Sequence, residues 1–151
     1  MLVRIDHIGI VAATFEEGWR LLVDQMGLVI DEGRSPLPGG VYFAPEHAHA
    51  YFFAAGDGDT RVEMLVPTPG SESGTARFLT RNGPGLHHLA FACEDLDVEA
   101  ERLAAAGLVE IALPRTEDGR RTASFFHPSN AGGILTELVT ADFHAMPRAI
   151  D

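Results

Sequence analysis

Two stretches of this chain share one grammar, and that repetition limits the fold more than any other feature. "RIDHIGIVA" (residues 4–12) is a β-branched run, after which Thr14 can cap the helix-patterned "FEEGWRLLVDQM", with Gly27 as its stop. "GLHHLAFACEDLDVEAERLAAAGLVEI" (residues 85–111) repeats the order: a strand over 86–92, an acidic helix start at Asp95, apolar Leu96 and Leu103, then Gly107. Each copy runs on into further strands, "AYFFAAG" and "TRVEMLVP" around "DGD" in the first, "TASFFHP" and "GGILTELV" around "SNAGG" in the second. The simplest reading is an internal duplication of a β-α-β-β-β unit in an α+β chain.

The expected organisation is one domain with a first module over 1–67, a linker over 68–84, a second module over 85–140 and a C-terminal tail over 141–151. The linker is expected to hold a short helix around Phe78 and Leu79, and the tail lacks periodicity, as a loose or partner-docking segment would. In "SPLPGGVYFAPEHAHAYFF" the turn residues divide a strand "GGVYFA" from a strand "AYFF" by a turn at "PEHAH". Phe15, Trp19 and Leu22 form the core face of the first helix, and Phe52, Phe53, Phe125 and Phe126 alternate between core and pocket wall.

Duplication places the same residue types at the same positions. His7 and His88 occupy matching places in the first strand of each copy, and Glu63 and Glu137 lie in the last strands. An imidazole or carboxylate aimed into a core is costly without a partner, so four such groups in symmetric positions suggest a shared cation. Two neutral imidazoles and two carboxylates, with no thiolate, suit Zn, Co, Ni, Mn or Fe(II). Neighbouring strand residues face opposite ways, so of the pair His87 and His88 only His88 is expected in the site, with His87 on the reverse face like Asp6.

Eleven basic against twenty-two acidic residues leave a net charge of −11, which argues against nucleic acid or anionic membrane as partner. Cys93 is the single cysteine, so no disulfide forms within the chain, and no stretch reads as a signal peptide or membrane span. The expected location is the cytoplasm.

"IDHIGIVA", "TRVEMLVP", "GLHHLAFACEDLD" and "SFFHPSNAGGILTELV" resemble the signature strands of the vicinal oxygen chelate superfamily, the glyoxalase and bleomycin-resistance fold, and within it the methylmalonyl-CoA epimerase branch. The resemblance covers nearly the whole chain and is strongest over 60–109. It implies two βαβββ modules forming a cupped mixed sheet around a divalent ion, a metal site of His7, Glu63, His88 and Glu137, and assembly as a homodimer. The implied activity is epimerisation of a small-molecule substrate such as an acyl-CoA: the ion binds two neighbouring oxygens and stabilises an enolate while the α-proton leaves one face and returns on the other.

Glu137 is the expected base as well as a ligand. The family's second base, a glutamate, has no clean match: Ala50 or Phe43 falls at the equivalent place, with Glu46, His47 and His49 nearby, and Glu46 is taken as the catalytic candidate. Arg115, Arg120 and Arg121 in "PRTEDGRR" either meet coenzyme A phosphates or form a solvated loop, and His127 before Pro128 suits a supporting role. The alternatives within the same fold are a glyoxalase-type lyase, an Fe(II) dioxygenase using His7, His88 and Glu137 as a facial triad, and a metal-free drug-sequestering protein.

Overall fold

β-branched alternation in "IDHIGIVA" extends the backbone into β1 (Leu2–Val11) of the computed structural model, which describes residues 1–142. Thr14 caps α1 (Phe15–Trp19), its hydroxyl accepting from Glu17 N at 3.2 Å. The helix then widens to π-helical over Arg20–Gln25 and stops at Gly27, whose φ of 76° is left-handed. The expected helix thus has the expected length and a change of pitch halfway.

β2 (Val29–Ile30) and β3 (Val41–Phe43) follow, then a 3-10 turn over Ala44–Glu46, β4 (Ala48–Ala54) and β5 (Arg61–Pro67). The ambiguous segment therefore resolves as strand, turn and strand. The turn ends earlier than expected, because His47 takes a left-handed φ of 45° and lets Ala48 and His49 join β4. The linker helix is α2 (Gly74–Asn82), capped by Ser73.

The second copy forms β6 (Gly85–Cys93), α3 (Leu96–Ala105) capped by Asp95, then β7 (Glu110–Ile111), β8 (Ser124–Phe126) and β9 (Thr136–Thr140). Residues 143–151, most of the expected tail, lie outside the described residues.

The strands make one mixed sheet in the order β2-β4-β5-β1-β6-β9-β8-β7, with β3 on β4. β1 and β5 run parallel, and β4 is antiparallel to β5, β2 and β3. β8 is antiparallel to β7 and β9. Two compact units divide the chain, His7–Leu89 and Met1–Asp6 with the chain from Ala90 on.

In the His7–Leu89 unit, alternation along β4 sorts side chains to two faces. Tyr51 and Phe53 join Met64, Leu22 and Leu28 beneath Phe15 and Trp19, as the helix pattern predicts. Ala48, Ala50 and Phe52 join Val11 and Leu65 on the other face, against Phe78 and Leu79 of α2. The second unit has its own core of Cys93, Leu96, Ala100, Phe126 and Leu138.

Candidate metal centre

The parallel pairing of β1 with β5 sets Gly9 opposite Glu63 and brings His7 onto the same face, the one that also carries Phe52. His7 and His88 are 1% and 6% exposed, so neither ring can rely on water for its nitrogen partners. His7 Nε2 lies 3.1 Å from His88 Nε2, and Glu63 Oε2 lies 3.5 Å from the first and 3.2 Å from the second. Three possible donor atoms thus converge on one point.

Those spacings test whether a divalent ion suits the site. A circle through atoms separated by 3.1, 3.2 and 3.5 Å has a radius of about 1.9 Å, slightly less than the roughly 2.0–2.2 Å bonds that nitrogen and carboxylate oxygen make to zinc and its neighbours. The triangle is therefore of the right size for one ion to bond all three corners. Glu137, buried on β9 opposite Phe125, provides a further carboxylate: ligand atoms of His7, His88 and Glu137 all lie within 4.8 Å of one another. The structure brings the four expected residues together, and their donor set fits a borderline or hard divalent metal.

Two features that the sequence does not advertise shape the site. A Cβ on Gly9 would fall 2.0 Å from His88 Cε1 and 2.3 Å from its Nδ1, so only glycine leaves room for that ring. His87 also departs from expectation. Instead of standing apart on the reverse face, it sets Nδ1 3.0 Å from His88 Nδ1 and meets Phe78 edge-on at 4.8 Å. Phe52 stands edge-on to His7 at 5.5 Å, and the Arg34 guanidinium lies over Phe52 at 5.6 Å.

The expected second base, Glu46, is held in place by specific contacts. Glu46 Oε2 accepts from Thr75 N at 2.7 Å and from Thr75 Oγ1 at 2.9 Å, which fixes the carboxylate at the start of α2. Ala50 is buried among Val11, Leu65 and α2, and Phe43 ends β3. His49 Nδ1 meets Gly39 O at 2.8 Å, and His47 Nδ1 meets the Tyr42 hydroxyl at 3.1 Å. His127 caps the turn after β8, with Ser129 N donating to its Nδ1.

The arginine loop is paired internally. Arg121 donates to both Glu110 oxygens at 2.7 and 3.0 Å and to Asp97 at 2.6 Å, so Glu110 is held below the usual carboxylate range by that hydrogen bonding. Arg115 lies 3.6 Å from Asp97, and Arg120 lies 3.1 Å from Asp118. Of the two readings, the contacts favour a self-neutralised loop over a phosphate site.

Fold and site together define a class: an α+β protein of duplicated strand-and-helix units carrying a buried His-His-carboxylate centre for a divalent metal. Residues 6–125 match the family described as the Glyoxalase/Bleomycin resistance protein/Dioxygenase superfamily, and the chain belongs to it. The mitochondrial methylmalonyl-CoA epimerase of Bos taurus is 29% identical over 141 residues, covering 91% of this chain and 74% of the relative. The crystal structure of methylmalonyl-CoA epimerase from Mycobacterium tuberculosis superposes with a TM-score of 0.74 at 26% identity, over 92% of this chain and 88% of that one. A methylmalonyl-CoA epimerase in complex with methylmalonyl-CoA and NH4+ gives 0.75 at 26% identity, over 93% and 96%.

Proposed function

We propose that this protein is a metal-dependent epimerase of the methylmalonyl-CoA epimerase type, acting on an acyl-CoA with an acidic α-proton. The observation that carries the reading is the convergence of His7, His88 and Glu63 on one point with Glu137 beside the imidazoles. Similarity to epimerases over nine-tenths of the chain supports the choice of reaction.

A divalent ion, when bound, withdraws electron density from a substrate carbonyl and so acidifies the neighbouring C–H. The chain's own groups then handle the proton. Glu137 takes the α-proton from one face, the C–H pair staying on the substrate as its carbanion character spreads to the carbonyl oxygen. Glu46 returns a proton to the opposite face, and the α-carbon is inverted with no net change in protons. Thr75 supports this role by fixing one oxygen of Glu46 with two donors, which sets the direction of the carboxylate. Phe52 and Ala50 wall the same face with apolar surface and limit water around the reacting carbon.

Glu63 favours this reading over an oxygenase. A fourth protein donor within 3.5 Å of both imidazole nitrogens takes a position that oxygen activation needs open. The proposal extends to a homodimer, supported by exposed Val3 and Ile5 on β1, and to a cytoplasmic setting, supported by the single reduced cysteine. Gel filtration with light scattering and cell fractionation test these two points.

The direct test is incubation of the Co2+-loaded protein with methylmalonyl-CoA in D2O, following the α-proton by NMR. Loss of that signal well above the protein-free rate is expected. Exchange at background would remove the epimerase assignment.

A further inference from the structure

His87 sits beside a metal ligand rather than behind it, and its contact has a direction. A histidine that binds a metal presents an unprotonated nitrogen, and the hydrogen bond made by its other nitrogen selects which one that is. His88 turns Nε2 toward His7 and Glu63, so its ring proton belongs on Nδ1. Nδ1 lies 3.0 Å from His87 Nδ1. That atom must then carry a lone pair, which puts the His87 proton on Nε2.

We propose that His87 is the positioning residue of the metal centre: it accepts the hydrogen bond from His88 Nδ1 and thereby fixes both the tautomer and the ring angle of the ligand. Two further contacts make it suited to the task. Its own ring is braced by Phe78 at an interplanar angle of 88°, and Phe78 is anchored on α2 against the Ala50 and Leu65 face. On the other strand, Gly9 leaves the space into which the His88 ring is pressed. Ring angle is thus set by contact on β1 and by a hydrogen bond on β6. Groups of this kind behind a ligand commonly alter metal affinity by about 10–100-fold when removed. The inference rests on the metal centre and is independent of which substrate the enzyme turns over.

Two replacements separate the acceptor from the ring. His87→Phe keeps an aromatic ring against Phe78 and deletes the acceptor. His87→Asn deletes the ring and keeps an amide oxygen near the place of Nδ1. Metal-free protein is titrated with Co2+ by visible absorption, its melting temperature is recorded, and the histidine tautomers are read by nitrogen NMR.

The expected result is a Co2+ affinity lower by about 10–100-fold in His87→Phe with little change in melting temperature, and near wild-type affinity in His87→Asn even where its melting temperature falls. Wild-type His88 should carry its proton on Nδ1. Full affinity in His87→Phe, equal loss in both variants, or a His88 proton on Nε2 would each overturn the proposal. Failure of the epimerase reading looks different: Co2+ binds normally and no α-proton exchanges.

Discussion

The two copies of the repeat place their ligands alike and support them differently. His7 and His88 hold matching positions, yet His7 is followed two residues later by Gly9 and His88 by Ala90. His7 packs against the Phe52 ring from β4, whereas His88 lies over the bare backbone of Gly9 and meets His87. The residue before the ligand also differs, Asp6 in one copy and His87 in the other. Duplication therefore supplies a symmetric donor set, while divergence of the neighbours gives each ligand its own seat. Such asymmetry is useful to an enzyme that must treat the two faces of one carbon differently.

The glutamates give the largest test of that asymmetry. In the proposed reaction Glu137 is both ligand and base and Glu63 a ligand alone. Glu137→Gln is expected to lower α-proton exchange by roughly 10²–10⁴-fold, the scale of a lost general base. Glu63→Gln keeps an oxygen donor at the same place and, at saturating Co2+, should cost less than the Glu137 replacement. Exchange rates in D2O at saturating Co2+ decide it, and equal losses would mean that the two copies share the chemistry symmetrically.

Exchange of the small residues comes next. Gly9→Ala puts a methyl where the His88 ring stands, and the obstacle is the ligand's own ring atoms at 2.0–2.6 Å. Co2+ affinity should fall by about 10–100-fold. Ala90→Gly, the reverse exchange in the other copy, should leave the affinity alone and cost about 0.5–1 kcal/mol of stability through backbone freedom. A Gly9→Ala variant that binds Co2+ normally would show that His88 has another way to reach the ion.

What could be read from the sequence follows the same division. Strand and helix positions, the α+β duplication and the four candidate donors were legible because each is a local pattern or a repeat of one. The supports were not, since each depends on which strand lies beside which. Gly9 matters because β6 brings His88 over it, and nothing within "IDHIGIVA" says so. Thr75 meets Glu46 across 29 residues, and Arg121 meets Asp97 across 24, distances over which residue type alone predicts nothing. Strand alternation alone sends His87 to the reverse face, and its contacts with His88 and with Phe78 of α2 depend on neighbours that the local pattern does not reveal.

A smaller effect distinguishes the ion pairs that tie each copy together. Arg61 donates to Asp31 at 2.9 Å in the first unit, while Arg121 in the second serves Glu110 through two nitrogens and Asp97 through a third. Arg121→Ala should lower stability by about 1.5–3 kcal/mol, the range for hydrogen bonds to charged groups, with no change in KM for an acyl-CoA. A raised KM with unchanged stability would restore the phosphate-binding role of the loop.

The last contrast is between Ala12 and Cys93, which occupy matching positions at the ends of the two repeated strands. Burial pushes the Cys93 thiol from 9.0 up to about 11, with Glu99 adding to the effect. Between those values the folded thiol keeps a proton that the unfolded chain has already released, so the folded state binds more protons there. Stability is consequently full below about pH 9 and declines toward pH 11. The chain contains no lysine, whose titration would otherwise overlap this alkaline window. Chemical denaturation of the wild type should show a steeper loss of stability across the window than Cys93→Ala, which makes the second copy resemble the first. Parallel curves for the two proteins would mean that the buried thiol releases its proton as easily folded as unfolded.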